Sequence, residues 1–238
     1  LISGQKDLLN LMLAAHLEDR DVSEIESLVD LDLLVDECIT FIVAGSDTTS
    51  GLITWFFYNM SKCPEILSKV REEVQKVLGE KFAQDPEHII SYEVLDKMPY
   101  LSRTIKETLR LFPSVPRITG RVAQKDVLLG KLKVKKGTLV AVNPYLVHHN
   151  GFYWKDPETF NPDREEYENG DLRFMPFSTG KRSCIGQFFA LMEAKIAITK
   201  ILLELNIQCD LSADKRLATT LTLYAKEGVP STISLLKQ

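Results

Sequence analysis

The stretch from Phe174 to Gly186, FMPFSTGKRSCIG, presents a single cysteine, Cys184, on a loop bracketed by glycines. The apolar segment that follows runs to about Leu205 and predicts a helix beginning at about Cys184. The positive end of a helix dipole stabilises a thiolate, which is the form of cysteine that binds metals. Gly180 and Gly186 carry no Cβ, so the backbone can turn sharply and lie close to a flat ligand. The pattern predicts a metal-binding thiolate at Cys184.

The spacing F-x-x-G-x-R-x-C-x-G in this loop resembles the haem-binding loop of the cytochrome P450 family of haem-thiolate monooxygenases. The positions that match are Phe177, Gly180, Arg182, Cys184 and Gly186. The resemblance implies that these residues bind the cofactor and that Cys184 is the axial ligand of a haem iron. Arg182 could pair bidentately with a haem propionate, and Phe177 could keep water from the sulfur. For a lone cysteine a buried structural thiol would be the favoured interpretation, but the whole loop argues against it.

Composition is typical of an ordinary globular protein. A chain of 238 residues, 45% hydrophobic and 26% charged, can bury a sizeable core as one domain or two small ones. The net charge of −4, without a block of like charge, argues against a nucleic-acid-binding protein. The cysteines are widely spread, without a zinc-binding pattern, which indicates reduced thiols in a cytosol-facing compartment. With Leu1 at its start and no signal peptide visible, the chain is expected to be a piece of a longer protein.

The longest predicted helix runs from about Leu31 to Ser61 and contains the hexapeptide AGSDTT at residues 44–49. Its polar centre is unsuited to a membrane span and favours a buried central helix. The hexapeptide resembles the oxygen-binding helix of the family. On that resemblance Thr48 is the hydroxyl that protonates bound oxygen, and Asp47 relays protons from solvent. On the residues alone, a polar kink in a core helix is an equally good interpretation.

Glu107 and Arg110 lie three residues apart in a predicted helix from Tyr100 to Leu111, where they can pair on one face. Their context, KETLRLFP, resembles the E-x-x-R helix of the family, and Arg164 stands where the third member of that buried network belongs. The resemblance implies a structural role for these three residues in holding the haem-binding core. Glu165 stands where the family usually has an aromatic residue.

Residues 115–143 alternate β-branched side chains with turn signals and predict short antiparallel strands. Arg121 aligns with the arginine of the family that commonly pairs with a haem propionate. Arg117 is the alternative, and either could instead be a solvated strand arginine. His148 matches the histidine usual in the segment before the haem loop, which makes it a cofactor-binding candidate. It is also the main rival of Cys184 for the iron, since histidine is the commonest metal ligand.

The C-terminal residues predict a hairpin, with strands at 218–224 and 231–236. In the family this turn dips towards the substrate. Thr222 and Leu223 are therefore candidates for the substrate pocket. Further candidates from two other segments are Phe41, Ala44, Val115 and Ile118.

The matched segments imply a mainly α fold with small antiparallel sheets, of the α+β class. Residues 1–238 would form the C-terminal, haem-binding part of a single cytochrome P450 domain whose N-terminal half is absent. The implied activity inserts one atom of dioxygen into a small apolar substrate, with haem as cofactor and an NADPH-dependent reductase as electron donor. Alternatives are a haem-thiolate isomerase or dehydratase and a non-catalytic fragment that does not hold haem. The parent protein is expected on the cytosolic face of the endoplasmic reticulum membrane, attached only through the missing part.

Overall fold

The computed structural model describes residues 10–11, 31–85, 89–167, 173–212 and 217–236. The chain divides into two compact units, Leu1–Asp47 and Thr48–Gln238. The helices with described bounds are α1 (Leu31–Lys62), α2 (Pro64–Gln84), α3 (Tyr92–Leu95), α4 (Pro99–Leu111), α5 (Pro144–His148) and α6 (Gln187–Glu204). Short 3-10 turns cover Glu165–Tyr167 and Gly180–Arg182. Within the described ranges, no helix combines the length and apolar character needed to cross a membrane.

The strands that the structure describes are short, and each forms an antiparallel pair with one other strand. They are β1 (Arg121–Val122), β2 (Val127–Leu129), β3 (Leu132–Val134), β4 (Leu139–Val140), β5 (Leu205–Cys209), β6 (Leu217–Thr219), β7 (Leu223–Ala225) and β8 (Ser231–Leu235). The pairs are β1 with β4, β2 with β3, β5 with β8, and β6 with β7. The predicted C-terminal hairpin between residues 218–224 and 231–236 is wrong, because residues 231–235 pair with β5, whereas residues 217–219 pair with residues 223–225. The predicted α+β class, mainly helical with small antiparallel sheets, is therefore confirmed.

The hydrophobic core of the second unit forms where α2 packs against α4 and α6. Each of these helices buries apolar side chains four residues apart, which places them on one face. Those with at most 2% exposure are Val70, Val74, Leu78, Leu101, Ile105, Leu109, Ala194, Ile198 and Leu202.

Helix α1 is buried over only part of its length. In the second unit Trp55, Phe56 and Met60 are at most 1% exposed. In the first unit Ile39 and Ile42 are 53% and 67% exposed. The expectation of a buried central helix is therefore wrong for residues 32–47, where the exposed apolar side chains are spread around the helix instead of along one stripe.

The start of α4 is fixed by a carboxylate from α2. Glu73 accepts hydrogen bonds from the backbone N–H groups of Tyr100, at 2.9 Å, and Leu101, at 2.8 Å. The first N–H groups of a helix have no partner within it, so this carboxylate satisfies two of them. The contact sets the position of α4, which carries Glu107 and Arg110.

Candidate cofactor site

Cys184 lies on an exposed loop between the 3-10 turn and α6. Its N–H donates to the carbonyl of Phe177 at 2.9 Å, and the Ser183 N–H donates to the carbonyl of Gly180 at 3.1 Å. Gly180 has φ +73°, a conformation that favours glycine. Backbone hydrogen bonds and this turn therefore hold the cysteine in place. The Phe177 side chain is half-buried against the hydrophobic core.

Helix α6 begins at Gln187, later than the sequence indicated. Gly186 precedes the helix, and its carbonyl accepts the N–H of Ala190 at 2.8 Å. The expectation that the helix begins at about Cys184 is wrong, because the residues up to Gly186 form a turn. A Cβ placed on Gly186 would stand 3.9 Å from the Cys184 Sγ, so the glycine leaves that side of the sulfur open.

The surroundings of Cys184 fit a flat apolar group that carries carboxylates. Its chain neighbours Ile185, Phe188 and Phe189 are 88%, 63% and 62% exposed, an unusual display of large apolar side chains. Arg182 is exposed and can pair with a carboxylate. Among the described residues, no three His, Cys, Asp or Glu side chains gather into a metal site. A single thiolate is the protein ligand that a haem of this type requires, since the porphyrin supplies the others.

The Glu107–Arg110 pair is fully buried on α4, with both side chains 0% exposed. Arg110 Nε and Nη2 donate to the two carboxylate oxygens of Glu107, each at 2.9 Å. Its Nη1 donates to the carbonyls of His148 and Pro157, at 2.8 and 2.7 Å. The guanidinium lies 5.4 Å from the ring of buried Trp154. Arg110 thereby ties α4 to the segment that follows α5.

Arg164 joins this pair, so the structure brings the three predicted network residues together. Its Nε donates to Glu107 Oε1 at 2.9 Å, and its Nη2 donates to the carbonyls of Asp156 and Thr159. Arg110 Nη2 also donates to the Thr159 carbonyl, at 3.2 Å. Both arginines therefore donate hydrogen bonds to backbone carbonyls of the loop at residues 156–159.

Tyr167 is a member of the network that sequence reasoning missed. Its hydroxyl donates to Glu107 Oε2 at 2.6 Å. Burial, and then the charge of Glu107, raise the pKa of Tyr167 far above its ordinary value, so the hydroxyl stays protonated. Its ring lies 5.5 Å from Trp154 and 5.2 Å from Phe174. The family pattern has an aromatic residue at position 165, and the available signal in this chain was the aromatic residue two positions later.

His148 is fully buried, with 0% exposure. Its Nδ1 lies 3.1 Å from the carbonyl of Arg110, and its Nε2 lies 3.1 Å from the backbone N of Met175. Since a carbonyl accepts and an amide donates, Nδ1 carries the proton and Nε2 accepts. Burial lowers the pKa of His148 to about 4, which keeps the ring neutral near pH 7. Both nitrogens of His148 therefore have partners within the chain, and its cofactor-binding role and its rivalry with Cys184 stay predictions.

The two candidate propionate arginines, Arg117 and Arg121, are both exposed. Arg121 lies on β1, and its Nη1 donates to the carbonyls of Thr119 and Gly120 at 3.2 and 3.3 Å. Both guanidinium groups are therefore accessible to a ligand carboxylate, and both arginines stay candidates.

Thr48, in the second unit, is half-buried, and its backbone carbonyl accepts the hydroxyl of Ser114 at 2.8 Å. The Ser114 carbonyl accepts the N–H of Leu223 at 2.9 Å. Ser114 therefore joins α1 to β7, a role that the sequence pattern did not show. Asp47, in the first unit, is exposed.

The pocket candidates differ in accessibility. Val115, Ile118 and Thr222 are half-buried. Leu223 is only 3% exposed, and its carbonyl accepts Trp55 Nε1 at 3.3 Å. Leu223 is therefore buried, and its place in the substrate pocket stays a prediction. In the first unit, Phe41 and Ala44 are exposed.

Comparison with known proteins gives the family. The cytochrome P450 family model matches residues 2–228. Human cytochrome P450 4Z1 is 35% identical over 228 residues, which are 94% of this chain and 43% of the relative. Human cytochrome P450 4B1 is 37% identical over 93% of this chain and 42% of its own length. Rat cytochrome P450 3A2 is 36% identical over 85% of this chain and 39% of its own length. The chain spans less than half the length of these curated relatives, and it belongs to the cytochrome P450 family.

Proposed function

We propose that the protein acts as a haem-thiolate monooxygenase, which inserts one atom of dioxygen into a small apolar organic substrate. The observation that carries the proposal is the exposed Cys184, fixed by backbone hydrogen bonds and followed by exposed apolar side chains. Family membership over residues 2–228 supports it. The proposed activity is that of the whole protein, of which this chain supplies the cysteine loop.

Haem, when bound, supplies the redox chemistry that activates dioxygen. Cys184 would hold the haem iron through its thiolate, and the negatively charged sulfur would donate electron density to the metal. Arg182 would pair with a propionate, with Arg121 or Arg117 as a second cation. Gly180 has no Cβ, and the chain itself places no atom within 4 Å of where a Cβ would stand. This space would let the ring approach the backbone closely.

Thr48 and Asp47 are proposed to handle protons, on the resemblance of residues 44–49 to the oxygen-binding helix of the family. Asp47 is exposed, so its carboxylate can exchange protons with solvent. The half-buried Thr48 would hold a proton at its hydroxyl for delivery to the reacting oxygen. We expect Thr48→Ala to divert reducing equivalents to peroxide, and unchanged coupling would remove Thr48 from this role.

The reaction also requires two electrons, which we assign to an NADPH-dependent reductase. One oxygen atom enters the apolar substrate and the other leaves as water. We place the whole protein on the cytosolic face of the endoplasmic reticulum membrane, in keeping with its resemblance to eukaryotic members of the family.

The test is the absorption spectrum of the reduced, carbon monoxide-bound protein after reconstitution with haem. We expect the red-shifted Soret band of thiolate ligation, its loss in Cys184→Ser, and its retention in the control Cys63→Ser. A band that survives in Cys184→Ser would overturn the ligand assignment. Turnover that needs neither NADPH nor reductase would instead support an isomerase or dehydratase.

A further inference from the structure

The start of the cysteine loop is attached to the C-terminal end of α4 through one side chain. The N–H of Met175 donates to His148 Nε2, and His148 Nδ1 donates to the carbonyl of Arg110, each at 3.1 Å. Arg110 lies in the last turn of α4, and both Arg110 and His148 are 0% exposed. The imidazole therefore bridges a rigid helix and the segment that leads to Cys184.

We propose that His148 is a positioning residue for Cys184, which fixes where the cysteine loop leaves the core. His148 does not itself touch the thiol. From Met175 the backbone continues the connection, since the Met175 carbonyl accepts the N–H of Ser178 at 3.1 Å. The Phe177 carbonyl then accepts the N–H of Cys184 at 2.9 Å. A shift at Met175 would therefore move the turn that carries the cysteine.

Aromatic packing holds the imidazole in the orientation that these hydrogen bonds need. Phe174 stacks on His148, with ring centroids 5.6 Å apart and an interplanar angle of 27°. Tyr167 and Phe174 pack edge to face with ring centroids 5.2 Å apart, and the Tyr167 hydroxyl is bound to buried Glu107. The buried ion-pair network therefore reaches the loop by two routes, through the Arg110 carbonyl and through the Tyr167 ring.

The arrangement requires a neutral imidazole with its proton on Nδ1. A protonated ring would present an N–H to the N–H of Met175 and would break the attachment. A glutamine side chain could reproduce both bonds, because its NH₂ donates and its carbonyl accepts. The inference rests on the proposed function only for the claim that this loop binds haem.

The test is hydrogen–deuterium exchange of the 238-residue chain without haem, resolved to the peptide that contains residues 173–184. His148→Phe keeps a ring but removes both hydrogen bonds, and we expect about tenfold faster exchange in this peptide. His148→Gln should remain within about threefold of the unaltered chain. Core amides of α2 are the internal reference, because a general loss of stability would accelerate them as well.

His149→Phe is the matched control. His149 bonds the carbonyl of Leu111 and the carboxylate of Glu158, which both lie outside the loop. We expect it to leave exchange at residues 173–184 unchanged. Equal acceleration by His148→Phe and His149→Phe, or no acceleration by His148→Phe, would overturn the proposal.

A second measurement needs no substitution. Nitrogen-15 NMR of the histidine side chains should show the His148 proton on Nδ1, and a proton on Nε2 would overturn the proposal even if His148→Phe failed to fold. Neither measurement involves haem, so failure of the positioning role and failure of the proposed oxygenase function are distinguishable.

Discussion

Replacing Glu107 by glutamine should cost more stability than any substitution of an exposed charge in this chain. The Glu107 carboxylate accepts from Arg110 Nε and Nη2, from Arg164 Nε, from the backbone N–H of Asn161 and from the Tyr167 hydroxyl. Its side chain is 0% exposed, as is that of Arg110, while that of Arg164 is 3% exposed. Glutamine keeps the shape of the side chain but removes the charge that balances two buried guanidinium groups.

The magnitude follows from that burial. Removing one partner of a buried ion pair costs about 3–5 kcal/mol, because the remaining charge is left uncompensated in a medium that solvates it poorly. Domains are commonly stable by only about 5–15 kcal/mol, so a loss of this size is a large part of the total. We expect Glu107→Gln to lower the free energy of unfolding by about 3 kcal/mol or more.

The assay is urea denaturation of the 238-residue chain, followed by circular dichroism. Asp163→Asn is the control, because it removes the exposed ion pair with Arg103, whose N–O distance of 3.1 Å is also short. The two side chains of that pair are 46% and 51% exposed, and exposed pairs contribute about 0–1 kcal/mol. If Glu107→Gln cost no more than Asp163→Asn, the burial argument for the network would be refuted.

Other parts of the fold give further predictions. Glu73→Ala should lower the free energy of unfolding by about 1–2 kcal/mol in urea titrations, since two amides at the start of α4 lose their acceptor, while exposed Glu72→Ala should change it little. Tyr167→Phe should lose about 1.5–3 kcal/mol by the same assay, because it removes one hydrogen bond to the charged Glu107. The pKa of His148 is lowered by burial from 6.5 to about 4, so the unfolded chain binds its proton more readily. Protonation of His148 in the unfolded chain therefore lowers the free energy of unfolding as the pH falls from about 6.5 towards 4, by about 3 kcal/mol in total, and this loss is absent above about pH 6.5. His148→Gln should remove this pH dependence from the free energy of unfolding measured across the same range.

Local periodicity was sufficient for much of the helical framework. The spacing of apolar residues in α2 and α4 identifies the faces that are buried, and the phenylalanine and proline after Leu111 mark the end of α4. The i, i+3 spacing of Glu107 and Arg110 places them on one face in any helix. Only the resemblance to the family, however, indicated that Arg164 would join them, because no local rule connects residues that lie 57 positions apart.

The features that sequence reasoning missed depend on distant partners. Whether the apolar residues of α1 are covered is decided by other parts of the protein, so hydrophobicity alone overestimated their burial between residues 32 and 47. The family pattern places an aromatic residue at position 165, where this chain has Glu165. Tyr167 lies in the same short 3-10 turn, and its hydroxyl reaches Glu107 from there. The start of α6 depends on the turn at Gly186, and a propensity pattern does not fix a helix terminus to within one residue.

His148 shows most clearly why residue type could not decide the site. Histidine and cysteine are both common metal ligands, and both stand in segments that resemble those flanking a haem. The two side chains differ in whether their donor atoms already have partners within the chain. Both nitrogens of His148 are engaged at 3.1 Å inside the core, whereas Cys184 is exposed on a loop held by its backbone. A ligand must offer an unshared electron pair to something outside the chain. We therefore propose that His148 positions the loop and that Cys184 binds the iron.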